Sequence, residues 1–201
     1  MSARITNGRR RAGPVRALGQ HGKHRPLVIR ALICLVLLAA PVQAQEQPCR
    51  LALLLGLDVS ASVDEAEHQL QRDGLIAALL APEVQEPLFA GPGPVALGIY
   101  EWSGRFQQQV ISPWRLIRTE AELALVIDEL QTTPRSTGEF PTAIGYALAY
   151  ASEMFETAPP CLFQTLDIAG DGQNNDGFTP DLAYLHFELD AVTVNGLAIG
   201  G

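Results

Sequence analysis

The sequence predicts a doubly wound α/β domain with a mainly parallel sheet covered by helices on both faces. Three observations predict it. Apolar runs short enough to be buried strands recur along the chain, as in LALLLGL (51–57) and VALGIYEW (95–102). Segments with apolar residues at helical spacing lie between them, and capping-box or proline signals open several of those segments. Strands alternating with amphipathic helices imply parallel pairing, because a parallel crossover needs a helix.

In order, Leu51–Leu57 is a continuous apolar run, the mark of a strand buried on both faces. Ser62-Val63-Asp64-Glu65 has the capping-box spacing, with Ser62 as the cap and Glu65 as its reply. Ala66, Leu70, Gly74 and Ala77 then recur near helical spacing, and that helix is expected to end before Pro82. The loop AGPGP (90–94) leads into the strand 95–102, and Gln109–Leu116 is a third strand. Thr119-x-x-Glu122 is a second capping box, followed by the stripe Leu123, Val126, Ile127 and Leu130. After the loop TTPRSTGEFP (132–141), Ile144, Leu148, Ala151 and Phe155 mark one face of a further helix. CLFQTLDIAGDG (161–172) reads as a strand running into a Gly/Asn-rich turn. Pro180 opens a helix over Asp181–Leu189, and Val192–Ile199 is the last strand. The sequence stops just after that strand, which needs a helix to cover it, so the domain is expected to be incomplete at its carboxyl end.

Charge is distributed unevenly. The 201 residues carry a net charge of −8, yet residues 1–44 hold eight of the 14 basic residues and no acid. Residues 45–201 therefore set six basic residues against all 22 acids, a net of −16. A body this acidic repels nucleic acid and anionic lipid, and accommodates divalent cations or basic surfaces. The basic head, the uncharged run ALICLVLLAA (31–40) and the small-x-small end at Ala44 describe a secretory signal peptide over 1–44. The run is too short to span a bilayer, so no stable membrane insertion is expected after cleavage. The remaining domain, 45–201, is expected in the periplasm or the medium, with two cysteines, Cys49 and Cys161.

The strand ends carry the chemistry. In open α/β sheets the ligand site lies outside the carboxyl ends of the strands. There the first strand offers Asp58, Ser60 and Ser62, the loop before the helix at 143 offers Thr142, and the strand 161–169 leads to Asp171. Two carboxylates and three hydroxyls are hard oxygen donors suited to Mg²⁺ or Mn²⁺, with Ca²⁺ less favoured. An EF-hand starting at Asp171 fails, because its sixth and twelfth positions are Asp176 and Leu182 in place of Gly and Glu. Asn174, Asn175 and Asp176 read as turn formers, with support of the site as the alternative.

These residues resemble the von Willebrand factor A-type family and its metal-ion-dependent adhesion site. Asp58-Val59-Ser60-Ala61-Ser62 is similar to that family's Asp-x-Ser-x-Ser, Thr142-Ala143-Ile144-Gly145-Tyr146-Ala147-Leu148 to its Thr-led helix start, and Asp171-Gly172 to its later Asp-Gly. Gly170 stands where the family more often has Thr. The run DIAGDGQNNDG (167–177) narrows the resemblance to exported bacterial A-type proteins of uncharacterised function. The resemblance implies a Rossmann-like fold with Ser60 and Ser62 on the metal, Thr142 joining when ligand is bound, and Asp58 and Asp171 bound directly or through water. It implies a protein partner that donates a carboxylate to the metal, in an adhesion or assembly role. It also sets the strands of Cys49 and Cys161 side by side. With both aspartates at one end, a Cys49–Cys161 disulfide is expected at the other.

The sequence argues against an enzyme. His68 falls on the polar side of the first helix, and His186 lies within a helix, away from the strand-end loops. No G-x-S-x-G elbow or phosphate-binding loop is present, and residues 45–201 contain no lysine. A metal-assisted hydrolase using the same oxygens is the alternative. Trp102 and Trp114 read as core residues, with a place on an exposed rim as the alternative.

Overall fold

The computed structural model describes residues 48–198. The expected signal peptide and the end of the last strand at Ile199 lie outside the described residues. Ten elements follow in order: β1 (Cys49–Asp58), α1 (Glu65–Leu80), α2 (Pro82–Ala90), β2 (Val95–Trp102), β3 (Gln108–Ile117), α3 (Glu120–Thr132), α4 (Ile144–Glu156), β4 (Cys161–Gly170), α5 (Pro180–His186) and β5 (Val192–Ala198). The sheet order is β3-β2-β1-β4-β5, with β3 antiparallel to β2 and the other pairings parallel.

β1 and β2 form the centre, and every residue of β2 is buried. On one face Leu55, Leu57, Leu97 and Ile99 pack against Leu79 of α1 and Leu123, Val126 and Leu130 of α3. On the other, Ala52, Leu54, Tyr100, Trp102 and Leu166 meet Leu148, Ala151 and Phe155 of α4 and Ala183 of α5. Each fully buried aliphatic or aromatic side chain contributes about 1.5–3 kcal/mol. Trp102 is buried, and Trp114 donates its indole N–H to the Met154 carbonyl at 2.9 Å, so both belong to the core.

Cys49 and Cys161 are register partners at the amino ends of β1 and β4, and they form the expected disulfide. Because the strands are parallel, Asp58 and the Gly170–Asp171 step emerge together at the opposite end.

Three expectations need correction. The first helix is capped by Asp64, with Glu67 replying, because the chain first turns through a Val63 N–H to Ser60 carbonyl bond. Its buried face carries His68, Arg72 and Leu79, whereas Leu70 of the expected stripe is exposed. His68 is buried because it bonds Glu101 of β2 at 2.8 Å. The first helix ends before Pro82 as expected, and Pro82 also serves as a first-turn proline that opens α2, an element the sequence did not reveal. The last helix ends at His186, short of Leu189.

Beyond α1 the sheet face over β4 and β5 is open. Phe163 and Leu197 are exposed there, and Leu70 and Gly74 border an apolar cleft of about 510 Å³.

Candidate metal centre

Asp58 ends β1, and its backbone is fixed on both sides. Its carbonyl accepts from the Gln71 side chain at 3.2 Å, and the next residue, Val59, donates to the Trp102 carbonyl at 2.9 Å. The carboxylate then folds over the turn, with Oδ1 accepting the Ser60 N–H at 2.8 Å. Oδ2 is buried without a protein partner.

The three hydroxyls form a row. Ser60 Oγ lies 3.1 Å from Ser62 Oγ and 3.2 Å from Thr142 Oγ1, and Ser62 donates to Asp171 Oδ1 at 2.7 Å. Asp58, Ser60 and Thr142 are buried, Asp171 is half-buried and Ser62 is exposed. The late helix start explains part of this. With Asp64 capping α1, the Ser62 side chain is released to the row. All five residues singled out in the sequence thus stand in one hydrogen-bonded cluster around the Asp58 carboxylate.

Glycines shape the cluster. A Cβ at Gly172 would lie 3.3 Å from Thr142 Oγ1 and 3.8 Å from Ser62 Oγ. One at Gly170 would lie 3.2 Å from Asp58 Oδ2 and 3.4 Å from the Trp102 ring. The departure at Gly170 has a local correlate, since a side chain there would press first on Asp58 Oδ2 and meet the Trp102 ring at ordinary contact distance.

The loop carrying Thr142 is held by two residues that read as simple turn formers. Asn175 accepts the Thr142 N–H at 2.9 Å through its side chain and donates its own N–H to the Thr142 carbonyl at 3.0 Å. Asn174 accepts the Gly145 N–H at 3.2 Å at the start of α4. Asp176 pairs with Arg105 at 2.7 Å. The doubled Asn after Asp-Gly was the only sequence signal for this bracket.

Below the cluster lies a charged group that sequence reasoning missed. Glu101, fully buried on β2, accepts from Arg72 at 2.8 Å, from the Ser136 N–H at 2.9 Å, and bonds His68 at 2.8 Å. Burial alone would raise its pKa, but the His68, Ser136 and Arg72 contacts outweigh that and hold it at about 2. Asp58 goes the other way. Its burial, reinforced by the charge of Asp171, raises its pKa despite the hydrogen bonds from Ser60.

The donor set fits a hard divalent cation. A buried carboxylate oxygen without a partner, beside a row of hydroxyls, is an acceptor site that a cation satisfies. Among the described residues no group of three or more His, Cys, Asp or Glu is arranged for metal. The cluster differs in kind, with hydroxyls linking two carboxylates. No histidine or arginine side chain bonds the five.

A β-sheet in the order 3-2-1-4-5, helices on both faces and an oxygen cluster at the strand ends define a von Willebrand factor A-type fold. The chain belongs to the family described as "Protein of unknown function (DUF1194)", whose model matches residues 48–201. No curated protein matches it. Among solved structures, proximal thread matrix protein 1 from the mussel byssus is 18% identical, with a TM-score of 0.59 over 78% of this chain and 40% of its own. The same mussel protein with a zinc-occupied MIDAS motif is 20% identical, with a TM-score of 0.55 over 79% of this chain and 40% of its own. A von Willebrand factor type A protein from Catenulispora acidiphila is 19% identical, with a TM-score of 0.54 over 76% of this chain and 34% of its own. The chain thus spans at most about two fifths of these relatives, which at such identities share its fold.

Proposed function

We propose that this protein is an exported binding module that holds Mg²⁺ or Mn²⁺ at Asp58, Ser60, Ser62, Thr142 and Asp171 and recognises a carboxylate on a protein partner. The observation that carries the reading is Asp58 Oδ2, buried and unpartnered beside the hydroxyl row. Hydroxyl and carboxylate oxygens are the hard donors that Mg²⁺ and Mn²⁺ take, and a site of few direct carboxylates suits them better than Ca²⁺. A cation bound there supplies an electrophilic position for an anion. Three neutral hydroxyls leave more of its charge uncompensated than carboxylates would.

The chain's own groups set the rest. Asn175 and the Ser60 amide orient Thr142 and Asp58, while Trp102 and Gly170 exclude water from the inner side of the carboxylate. The Cys49–Cys161 disulfide supports an oxidising compartment, hence the periplasm or the medium. The role is adhesion or assembly rather than catalysis.

The test is calorimetric titration of the exported protein with Mg²⁺ and Mn²⁺, wild type against Asp58→Ala. Binding heat in the wild type and none in the variant is expected. Absence of heat in the wild type would end the proposal. Turnover of a phosphoester or ester panel that disappears in the variant would replace it with a metal-assisted hydrolase.

A further inference from the structure

Two exposed aromatic side chains stand beside the oxygen cluster. Phe140 precedes Thr142 by two residues, and its carbonyl accepts the N–H of Ala61, between Ser60 and Ser62, at 2.8 Å. It is therefore clamped between both ligand-bearing loops, yet its side chain reaches solvent. Phe106 lies on the turn between β2 and β3 and is 81% exposed. That turn packs against Phe140, since a Cβ at Gly104 would lie 2.9 Å from Phe140 Cβ.

The platform beneath these rings is rigid. The Ser103 carbonyl accepts the Ala143 N–H at 3.0 Å, next to Thr142, and Gln108 closes the turn onto the Gly104 carbonyl at 2.8 Å. The Phe106 ring meets Tyr146 edge-on at 5.7 Å, and Tyr146 packs at a tilt against Phe178 at 4.3 Å. Arg105 ties the same turn to Asp176. A large apolar ring held outward by such a scaffold is pre-ordered for contact, so little conformational freedom is lost when a partner covers it. The exposed apolar residues of β4 and β5, Phe163 and Leu197, differ, because nothing in the structure shows what covers them.

Charge narrows the occupant. Asp64, Glu65 and Glu67 at the start of α1, together with Glu139, are exposed around the cluster, on a domain with a net charge of −16. A broadly acidic segment is repelled. A single carboxylate on an otherwise neutral or basic segment is not.

We propose that Phe106 and Phe140 form a specificity rim, selecting a partner segment whose carboxylate stands beside an apolar side chain on a neutral or basic background. This inference rests on the carboxylate-recognition reading above.

The experiment uses two displayed peptide libraries, one with a fixed Asp among random positions and one with Asn there, selected on the exported protein in Mn²⁺ and in EDTA. Enrichment is expected only from the Asp library in Mn²⁺, with an aromatic or aliphatic residue within about two positions of the Asp and basic residues elsewhere. A selected peptide should bind Phe106→Ser about tenfold more weakly, with Mn²⁺ affinity unchanged, and Phe140→Ser should act in the same direction. Asp-dependent enrichment without apolar preference, or undiminished binding to both variants, overturns the rim and leaves carboxylate recognition standing. Enrichment that ignores EDTA or the Asn replacement overturns the rim as part of a metal site. No Mn²⁺-dependent enrichment overturns carboxylate recognition and the rim with it.

Discussion

Asp58→Asn separates a structural carboxylate from one built for a cation. Asp58 is fully buried, Oδ1 holds the Ser60 N–H at 2.8 Å, and Oδ2 has no protein partner. The asparagine keeps the Oδ1 acceptor and removes the buried charge. The amide N–H₂ at the Oδ2 position is itself buried without an acceptor, which costs about 1–3 kcal/mol. Loss of the buried charge beside Asp171 offsets that, so the metal-free variant should stay within about 1–3 kcal/mol of the metal-free wild type. Metal separates the two. At 100 times its Kd a ligand that binds only the native state stabilises it by about 2.7 kcal/mol. For a domain of this size each kcal/mol moves Tm by about 2–4 °C, so the wild type should rise by about 5–11 °C. The variant should move by less than about 2 °C at the same metal concentration. The assay is thermal unfolding by calorimetry after EDTA dialysis, with Mg²⁺ and Mn²⁺ added back. An equal metal-induced rise in the variant refutes the reasoning. So does a metal-free variant destabilised by several kcal/mol, which would make Asp58 a structural residue.

Four further outcomes follow from the same geometry. Glu101→Gln leaves the Arg72 guanidinium buried without its counter-charge and should cost about 3–5 kcal/mol by denaturant unfolding, with a loss below about 1 kcal/mol counting against a buried ion pair. The Glu101 carboxyl is depressed from 4.5 to about 2, so its contribution, on the order of 3 kcal/mol, is fully present above about pH 4.5 and lost as pH falls towards 2. Denaturation midpoints between pH 6 and 2 should fall over that window in the wild type and more shallowly in Glu101→Gln. Replacing both Cys49 and Cys161 by serine opens a link spanning 112 residues and should cost about 5 kcal/mol on the chain-entropy model, while two free thiols in the non-reduced protein would show that the bond does not form. Asn175→Ala removes the acceptor for the Thr142 N–H and should weaken metal binding about tenfold in calorimetry, and unchanged affinity would reduce Asn175 to a turn former.

The strands were legible because burial on both faces removes charge from a run. The uncharged Leu51–Leu57 and the apolar Val95–Trp102, with Glu101 its one charge, mark β1 and β2 to within two residues. The cluster was legible for a related reason. Each of its residues stands just past an element whose pattern is plain, so Asp58, Thr142 and Asp171 could be set at one end of the sheet. The helix faces read less well. Around α1 the buried positions include His68 and Arg72, and a hydrophobic count cannot find a face whose burial is secured by ion pairing with Glu101, far away in sequence. The capping box was ambiguous for a local reason. Ser62 and Asp64 are both good caps, and only the turn at Ser60–Val63 decides between them. Asn174 and Asn175 look the same as residues of any turn until the Thr142 loop folds against them.

The accounting of positive charge links these observations. Residues 45–201 hold six arginines and no lysine. Three of the six are committed to the loops around the cluster. Arg72 binds Glu101 and the carbonyls of Leu130 and Thr133, Arg135 binds the Val59 and Val63 carbonyls, and Arg105 binds Asp176. Arg115 is paired with Glu129, and Arg50 holds the carbonyls of Pro87, Leu88 and Gly93 at the far end of the sheet. Among the described residues no ion pair reaches Asp58 or Asp171. Arg135 holds the backbone on either side of Ser60 and Ser62, and among the described residues no arginine pairs with the oxygens themselves. Two carboxylates so placed, one of them buried, are balanced most directly by an ion from solution.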